Sequence, residues 1–374
     1  MNFRMKCSIF NLRQINLILG SACNFNCIYC VQKENKPRCK KVVHPKILEW
    51  LHETAYKLPS VLNPILSFCG GEPLLYQKAI EEIVSSLDDK FKYTIVSNGS
   101  YLTEEIVDFI NQHNIHFSLS HDGAVSEKTR EIDVLKDDGI KKLFLKIKDR
   151  SITAVHCGFN SDIHELFHSF DTLCSNTRVD VEELVTFPYM PESVTNFDLE
   201  SVHKGLEKQQ QEFIDCITGE TPDVRNPRTP CASHFENRIS RILDEEFGVT
   251  NHSENYPFPR CGAGKSEISV DLEGNVFLCK NHNKKIGTIA DNYTTLYHNA
   301  ETLLNQLHEE NRTNKGCPSC DAFPYCQGGC PFEQASIRQH EGCEVKRVQW
   351  LGTRKFIQER LNLISPPSRE GEIS

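Results

Sequence analysis

The sequence has no run of about eighteen apolar residues, the length that a membrane-spanning helix needs. Its first residues, 1–14, also lack the apolar stretch of a secretory signal peptide. An excess of positive charge is absent as well, since 42 Lys and Arg stand against 51 Asp and Glu, a formal net charge of −9. We therefore expect a cytoplasmic protein whose main partner is neither a membrane nor a nucleic acid.

Cysteine, by contrast, is abundant, with 17 residues in a chain of 374. In a protein that stays in the cytoplasm, this many cysteines indicate metal binding or catalysis rather than disulfide bonds. The chain is long enough for one large domain with an ample core and a second, smaller domain.

The first cysteine motif is Cys23-Asn-Phe-Asn-Cys27-Ile-Tyr-Cys30, which directly follows an apolar run at residues 15–20. A 4Fe–4S cluster usually takes four protein thiolates, so three thiolates leave one iron open to another ligand. An open coordination position is typical of catalytic metal sites, whereas structural sites are closed. The same three cysteines could also be half of a zinc site, or could simply pack in the core.

The first half of the chain alternates short β-branched or apolar runs with helical patterns. The predicted strands cover residues 15–19, 64–68, 93–97, 116–120, 153–159 and 180–186, and the predicted helices cover 45–56, 77–87, 103–112 and 141–148. About six βα units indicate an α/β fold with a parallel sheet, a partial (β/α)6 barrel of the TIM type. Functional groups are then expected at the carboxyl ends of the strands.

Three polar motifs follow predicted strands at that end. Gly70-Gly71-Glu72-Pro73 comes after the second strand, Ser97-Asn98-Gly99 ends the third, and Ser118-Leu119-Ser120-His121-Asp122-Gly123 ends the fourth. Glycines let a backbone approach a ligand closely, and a carboxylate beside them can accept hydrogen bonds from an ammonium group. Each motif taken alone could also be an ordinary capped turn.

The order and spacing of these motifs resemble the radical SAM superfamily. The resemblance implies that the open iron binds S-adenosylmethionine (SAM) and reduces it to a 5′-deoxyadenosyl radical, which abstracts a hydrogen atom from a substrate. It further implies that the element formed by Gly70, Gly71, Glu72 and Pro73 holds the amino group of SAM. By the same resemblance Tyr29 lies near the adenine, and Ser97, Asn98 and Ser120 contact SAM unless they only cap their turns.

A second cysteine array lies towards the end of the chain. Its members are Cys261, Cys279, Cys317, Cys320, Cys326, Cys330 and Cys343, with Gly274 separated from Cys279 by four residues. This order resembles the SPASM domain, an extension of certain radical SAM enzymes that carries two auxiliary 4Fe–4S clusters. The resemblance implies three clusters in all. A zinc module is the alternative, because cysteine pairs with two intervening residues also build zinc ribbons.

The SPASM ligand pattern distributes these cysteines between two clusters. Carried over residue by residue, it assigns the outer cluster to Cys317, Cys320, Cys326 and Cys343. It assigns the inner cluster to Cys261, Cys279 and Cys330, which leaves that cluster without a fourth ligand. We expect Cys231 to supply the fourth ligand; the alternative is an open iron that substrate could occupy.

We divide the chain into four parts. Residues 1–190 are the radical SAM partial barrel, 191–255 a mainly helical bridging region, 256–345 a small cysteine-rich iron–sulfur (SPASM) domain, and 346–374 a C-terminal helix with a disordered tail. Within the third part, residues 267–278 fit a β-hairpin with its turn at 271–275, which carries Cys279 on the second strand.

SPASM family members mostly act on peptides and proteins. The resemblance therefore implies an oxidoreductase that modifies a ribosomally synthesised peptide, with a thioether or carbon–carbon crosslink as the favoured product. Auxiliary clusters suit a net two-electron oxidation because they can accept the surplus electron. An electron donor such as flavodoxin or ferredoxin is the expected redox partner.

Three alternatives stay open. Two belong to the same family, namely an anaerobic sulfatase-maturating enzyme, which makes formylglycine, and a peptide epimerase. The third is a non-enzymatic iron–sulfur or zinc scaffold. Sulfatase maturases typically carry an acidic residue directly after the cysteine of the G-x4-C element, where this sequence has Lys280. That difference weakens the sulfatase alternative.

Three further residues are candidates for a catalytic role. Cys69 and Cys157 could each donate a hydrogen atom in an epimerase, although a free cysteine more often packs as a small buried hydrophobe. His121 could contact SAM or substrate, although a role in capping the strand end is the simpler interpretation.

Overall fold

A nine-stranded sheet runs through the part of the chain that the structure describes. The computed structural model describes residues 12–33, 43, 45–57, 64–183, 192–219, 229–248, 262–330, 332 and 342–363. The strands are β1 (Gln14–Ile18), β2 (Ile65–Cys69), β3 (Lys92–Ser97), β4 (His116–Ser120), β5 (Arg150–His156), β6 (Arg178–Glu183), β7 (Glu267–Asp271), β8 (Asn275–Cys279) and β9 (His282–Thr288).

The strand order in the sheet is β6-β5-β4-β3-β2-β1-β7-β8-β9. Strands β1 to β6 pair in parallel, each with the next strand along the chain. Their carboxyl ends therefore meet at one edge of the sheet. This open parallel sheet confirms the α/β partial barrel that the alternating pattern predicts.

The predicted hairpin is also part of this sheet. β7 pairs in parallel with the free edge of β1, and β8 and β9 continue the sheet in antiparallel fashion. Across the junction, the buried Asn16 side chain donates a hydrogen bond to Glu267 Oε1 at 2.5 Å. Cys279 of the second array thus ends a strand that is continuous with the barrel sheet.

Helices accompany the strands and continue through the second half of the chain. They are α1 (Pro45–Lys57), α2 (Gln77–Leu87), α3 (Glu104–Gln112), α4 (Ser126–Arg130), α5 (Asp138–Lys146), α6 (Ile163–His168), α7 (Glu192–Thr195), α8 (Leu199–Thr218), α9 (Pro230–Glu246), α10 (Tyr293–Lys315), α11 (Phe323–Cys326) and α12 (Cys343–Phe356). Among the helices described, none combines the length and apolar character that a membrane crossing requires.

Local sequence explains where these elements begin and end. Thr103 caps α3 by accepting a hydrogen bond from the Ile106 N–H at 3.3 Å. Two glutamates in the first turn stabilise the helix further, because their negative charges lie at the positive end of the helix dipole. β5 ends at His156, before the predicted end at residue 159. The reason is Asn160, whose side chain accepts from the Cys157 N–H at 2.7 Å and donates to the Val155 carbonyl at 2.9 Å.

Two apolar cores hold the described parts together. The larger core lies between the sheet and its helices and includes the fully buried Phe117 and Phe144. The second core joins α8, α9 and α12, where the rings of Phe213, Phe235 and Phe356 lie with centroids 5.2 to 6.2 Å apart. The bridging region is thus helical where it is described, and the predicted tail lies outside the described residues.

Candidate active site

A cavity of about 540 Å³ opens at the carboxyl ends of the parallel strands. Its wall combines the loop after β1, the turn after β2, the ends of β3 to β6 and the turn after β8. Eleven of the candidate cluster, SAM-binding and catalytic residues line it: Cys23, Cys27, Tyr29, Cys30, Cys69, Gly70, Gly71, Glu72, Ser97, Asn98 and Ser120. The structure therefore brings the three cysteines and the three strand-end motifs into one place.

The loop after β1 presents three thiols to this cavity. Cys23 is exposed, whereas Cys27 and Cys30 are half-buried. Hydrogen bonds from the Ile28 N–H to the Thr129 carbonyl (2.9 Å) and from the Cys30 N–H to the Cys27 carbonyl (3.2 Å) hold the loop. Burial raises the pKa of the Cys27 thiol to about 11, so that iron would have to displace its proton. Accessible thiols on a firmly held loop fit a cluster with three protein ligands.

Gly70 and Gly71 let the turn after β2 pack directly against the cysteine loop. The Gly71 N–H donates to the Gly20 carbonyl and the Glu72 N–H to the Ala22 carbonyl, both at 2.8 Å. A Cβ on Gly71 would lie 2.2 Å from the Ala22 oxygen, and one on Gly70 would lie 2.3 Å from the Gly20 oxygen. The absence of a side chain at these glycines therefore lets two backbone segments pack against each other. This is a second role, in addition to allowing the close approach of a ligand.

Glu72 ties the end of β2 to the end of β3. Its buried carboxylate accepts hydrogen bonds from the Ser97 hydroxyl (2.7 Å), the Asn98 N–H (2.8 Å) and the Leu74 N–H (2.9 Å). Burial raises the pKa of Glu72, and the three hydrogen bonds oppose that rise. Since a carboxylate has about four acceptor positions, about one remains for the ammonium group of a ligand.

Asn98 connects the end of β3 to the cysteine loop. Its Nδ2 donates to Asn24 Oδ1 at 2.9 Å and lies 3.9 Å from Cys23 Sγ. Its Oδ1 accepts from the Ser100 N–H at 3.0 Å. The same side chain therefore caps its own turn and places an N–H group beside a cysteine sulfur, which is one way to tune a cluster's reduction potential.

A buried network around Asp122 supports the cysteine loop. The hydroxyl of Tyr29 donates to Asp122 Oδ2, and the same oxygen accepts from the Thr129 hydroxyl at 2.6 Å and from Arg130 Nε at 3.2 Å. The other carboxylate oxygen accepts from the Val155 N–H at 2.9 Å. Burial raises the pKa of Tyr29 well above its usual value, so its hydroxyl stays protonated and donates.

Sequence analysis missed Arg130. Its Nη1 lies 3.9 Å from Cys27 Sγ, and its guanidinium lies over the Tyr29 ring, 5.5 Å from the centroid. It lines the cavity and is 7 % exposed. A lone arginine on a short helix carries no spacing signal. Only Asp122, inside the motif after β4, offered a hint of this network.

The two cysteine candidates differ in position. Cys69 is buried in the cavity wall, with its thiol 3.6 Å from the Leu17 carbonyl, and burial raises its pKa to about 12. Cys157 is fully buried in a small cluster with Tyr29 and Val194, and burial raises its pKa to about 11. Of these two cysteines, only Cys69 is among the residues that line the cavity.

His121 directly follows β4, next to the site. Its Nδ1 accepts from the Gly123 N–H at 3.1 Å, so the proton of the neutral ring is on Nε2, which donates to Asp133 at 2.7 Å. It is not among the described residues that line the cavity. These contacts are those of a residue that fixes the chain after β4.

Lys280 and Asn281 close the cavity from the turn that follows Cys279. The Lys280 carbonyl accepts from Gln32 Nε2 at 2.9 Å, which joins this turn to the cysteine loop. Burial works against a charge on Lys280, yet Glu182 and other nearby acidic groups hold its pKa above the usual value. Glu182, at the end of β6, also lines the cavity, and sequence analysis did not single it out.

Most of the second cysteine array is described. Cys279 ends β8, Cys330 is half-buried, and Cys317, Cys320 and Cys326 follow one another in tight turns. Arg347 on α12 donates two hydrogen bonds of 3.0 Å to Asp321, which fixes the helix that starts at Cys343 beside these turns. Cys261 lies outside the described residues. The assignment of these cysteines to two clusters stays a prediction.

Cys231 lies in the first turn of α9, and its buried thiol is beside His164 and Glu212. The expectation that it completes the inner cluster also stays a prediction. The structure gives this thiol neighbours that the sequence did not indicate.

Comparison with known proteins identifies the class of the barrel. Residues 17–165 match the sequence profile described as the Radical SAM superfamily, and these residues form a radical SAM domain. This membership implies a 4Fe–4S cluster and SAM as cofactors.

Two curated relatives match most of the chain. The radical SAM cyclopropyl synthase TigE of Paramaledivibacter caminithermalis is 20% identical over 352 residues, which cover 85% of this chain and 68% of that protein. The cysteine-type anaerobic sulfatase-maturating enzyme of Clostridium novyi is 21% identical over 346 residues, which cover 83% of this chain and 85% of that protein.

Solved structures agree with the fold. Native anSMEcpe with bound AdoMet and the Cp18Cys peptide superposes with a TM-score of 0.69 at 16% identity, covering 94% of this chain and 99% of that one. SuiB of Streptococcus suis bound to S-adenosylmethionine gives a TM-score of 0.56 at 16% identity, covering 88% of this chain and 75% of that one. At such identities the likeness establishes a shared fold.

Proposed function

We propose that this protein is a radical SAM/SPASM enzyme that oxidatively modifies a ribosomally synthesised peptide, with a thioether or carbon–carbon crosslink as the product. The observation that carries the proposal is the composition of one cavity. Three thiols, the Gly-Gly-Glu turn and the Lys280 turn of the second array all line it. SAM bound at a cluster held by Cys23, Cys27 and Cys30 would supply a 5′-deoxyadenosyl radical that abstracts a hydrogen atom from the peptide.

The charges in the cavity suit the amino-acid end of SAM. Glu72 keeps about one acceptor position for the ammonium group. Arg130, fixed by Asp122 and facing the cavity, offers a cation for the carboxylate. We propose that these two residues orient SAM, with Ser97 and Asn98 holding Glu72 in place and Tyr29 and Ser120 forming the remaining wall.

The second array would complete a net two-electron oxidation by accepting the surplus electron. We propose an outer cluster on Cys317, Cys320, Cys326 and Cys343 and an inner cluster on Cys261, Cys279 and Cys330. Because Cys279 directly precedes the cavity residue Lys280, the inner cluster would lie close to the substrate. The continuity of β7 with β1 supports this placement.

A peptide substrate is supported by what the matching proteins bind. Structures of anSMEcpe contain bound peptides, and SuiB has a structure bound to the precursor peptide SuiA. Sulfatase maturation is the second candidate, because sulfatase-maturating enzymes match more than four-fifths of the chain, at 83% and 85%. Against it stands Lys280, in the place where sulfatase maturases typically carry an acidic residue.

Anaerobic co-expression with short open reading frames encoded beside the gene, followed by mass spectrometry, tests the proposal. A crosslink predicts a peptide that has lost two hydrogen atoms, whereas the variant with all of Cys23, Cys27 and Cys30 changed to alanine leaves the peptide unmodified. An unchanged mass with uptake of solvent deuterium would show epimerisation instead. Formylglycine in a co-expressed sulfatase would show the second candidate to be correct.

A further inference from the structure

Helices α6, α8 and α9 converge on the carboxylate of Glu212. The ligand atoms of His164, Glu212 and Cys231 all lie within 4.8 Å of one another. His164 Nε2 is 3.0 Å from Glu212 Oε2, and His168 Nε2 is 3.0 Å from the same oxygen. Within the described ranges, neither cysteine array brings three ligand atoms so close together.

The two histidines have a spacing that suits a metal ion. His164 and His168 are four residues apart on α6, so they lie on one face of the helix, with ring centroids 4.2 Å apart. The intervening residues complete the pattern H-E-x-x-H, which places two imidazoles on zinc in many proteins. Sequence analysis missed this pattern because the cysteine arrays accounted for the metal chemistry.

Two neighbouring groups hold Glu212 and His168 by hydrogen bonds of the kind that orient the ligands of a metal ion. The Thr229 hydroxyl donates to Glu212 Oε1, which leaves Oε2 facing the histidines. Asp171 Oδ2 lies 2.7 Å from His168 Nδ1 and Glu212 Oε2 lies 3.0 Å from its Nε2, so the ring can donate to both carboxylates, and zinc binding would displace the proton on Nε2. A carboxylate that accepts from the outer nitrogen of a histidine is the usual arrangement behind a zinc ligand.

We propose that His164, His168, Glu212 and Cys231 bind one Zn²⁺ ion, so that Cys231 is a zinc ligand rather than the fourth ligand of the inner cluster. Two nitrogens, one oxygen and one sulfur form a donor set that tetrahedral zinc accepts. Four protein ligands close the coordination sphere, so the site is structural rather than catalytic. Glu165, the acid of the H-E-x-x-H pattern, is exposed and paired with Lys208 at 3.2 Å, outside this group.

The site joins the barrel to the bridging helices. α6 follows β5 of the barrel, whereas α8 and α9 belong to the second core. Zinc would thus fix the angle at which the bridging helices leave the barrel. The inference does not depend on the proposed reaction, because zinc content is measured without SAM cleavage.

Elemental analysis of the full-length protein tests the site. The protein is first reconstituted anaerobically with iron and sulfide, so that the cysteine arrays are filled, then given Zn²⁺ and desalted. We expect about one zinc per chain in the wild type. Glu212→Gln and His164→Ala should retain at least tenfold less zinc with unchanged iron. The control His203→Ala removes an exposed histidine of α8 and should keep its zinc.

X-ray absorption at the zinc edge of the wild-type protein gives an answer even if a variant folds poorly. One sulfur at about 2.3 Å with nitrogen or oxygen at about 2.0–2.2 Å is expected, and the sulfur contribution should vanish in Cys231→Ser. Equal zinc in the wild type and Glu212→Gln would overturn the proposal. So would loss of iron rather than zinc from Cys231→Ser, since Cys231 would then be a cluster ligand.

Discussion

At the scale of single residues, Glu72 determines how the two strand ends beside the cysteine loop are joined. Its carboxylate accepts from Ser97, Asn98 and Leu74. In Glu72→Gln the amide nitrogen replaces one acceptor and leaves at least one buried donor unpaired. We expect a loss of about 1–3 kcal/mol in the free energy of unfolding, measured with urea. SAM binding, measured by equilibrium dialysis, should weaken at least tenfold.

The matched control is Glu82→Gln, an exposed glutamate on α2. It should change neither the urea midpoint nor SAM binding. If Glu72→Gln binds SAM as tightly as this control, the carboxylate does not meet the ammonium group.

Arg130 is the second test at this scale, because it is buried against Asp122. Removing its charge in Arg130→Gln leaves the Asp122 carboxylate buried without a cation. We expect a loss of roughly 3–5 kcal/mol in unfolding free energy, measured with urea. The exposed pair of Arg178 and Asp180 provides the control, and Arg178→Gln should cost less than about 1 kcal/mol. Similar losses in both variants would contradict a special role for the buried pair.

The candidate site was predictable only where residues carry a spacing signal. The three cysteines, Glu72 and Asn98 stand in short motifs after strands, and the structure brings them together. Arg130 and Glu182 reach the cavity through the packing of helix α4 and strand β6, which no local pattern encodes. Cys157 and His121 were also candidates, from their positions in the fifth strand and after the fourth, but neither is among the described residues that line the cavity.

At the scale of elements, the contact between the β2 turn and the cysteine loop sets the position of the thiols. Gly71→Ala would place a Cβ 2.2 Å from the Ala22 carbonyl oxygen, so the two segments would have to separate. We expect the variant to lose most of its SAM cleavage, measured as 5′-deoxyadenosine formation. Its unfolding midpoint, measured by thermal unfolding, should also be lower. Gly139→Ala, at the start of α5, meets only the flexible Asp137 side chain at 3.0 Å.

The Gly139→Ala control should keep SAM cleavage and the unfolding midpoint close to the wild-type values, because alanine suits a helix better than glycine. Wild-type SAM cleavage in Gly71→Ala would mean that the loop can move away without harm.

Most elements of the barrel were predictable, because each has its own hydrophobic period. Predicted residues 77–87 and 116–120 coincide with α2 and β4. The pairing of β7 with β1 was not predictable, since it joins segments about 250 residues apart and leaves no local trace. Helix α10 was missed for a related reason, as its polar sequence carries little amphipathic pattern.

At the scale of the whole molecule, one continuous sheet links the radical SAM domain to the second cysteine array. The proposed three clusters predict about twelve iron atoms per reconstituted chain. The variant lacking Cys23, Cys27 and Cys30 should keep about eight, because only the first cluster is lost. Cys216→Ala, a buried cysteine of the second core, should keep all of its iron. Four iron atoms in the wild type would instead mean that the second array holds no clusters.

The proposed function depends on SAM cleavage at the cysteine loop. This cleavage is tested by giving SAM and dithionite to the anaerobic, reconstituted protein and quantifying the 5′-deoxyadenosine that forms by liquid chromatography. We predict continuous formation by the wild type and none above background in the variant lacking Cys23, Cys27 and Cys30. If iron-replete wild-type protein forms no 5′-deoxyadenosine, or if the variant forms as much as the wild type, the three cysteines do not hold a SAM-cleaving cluster.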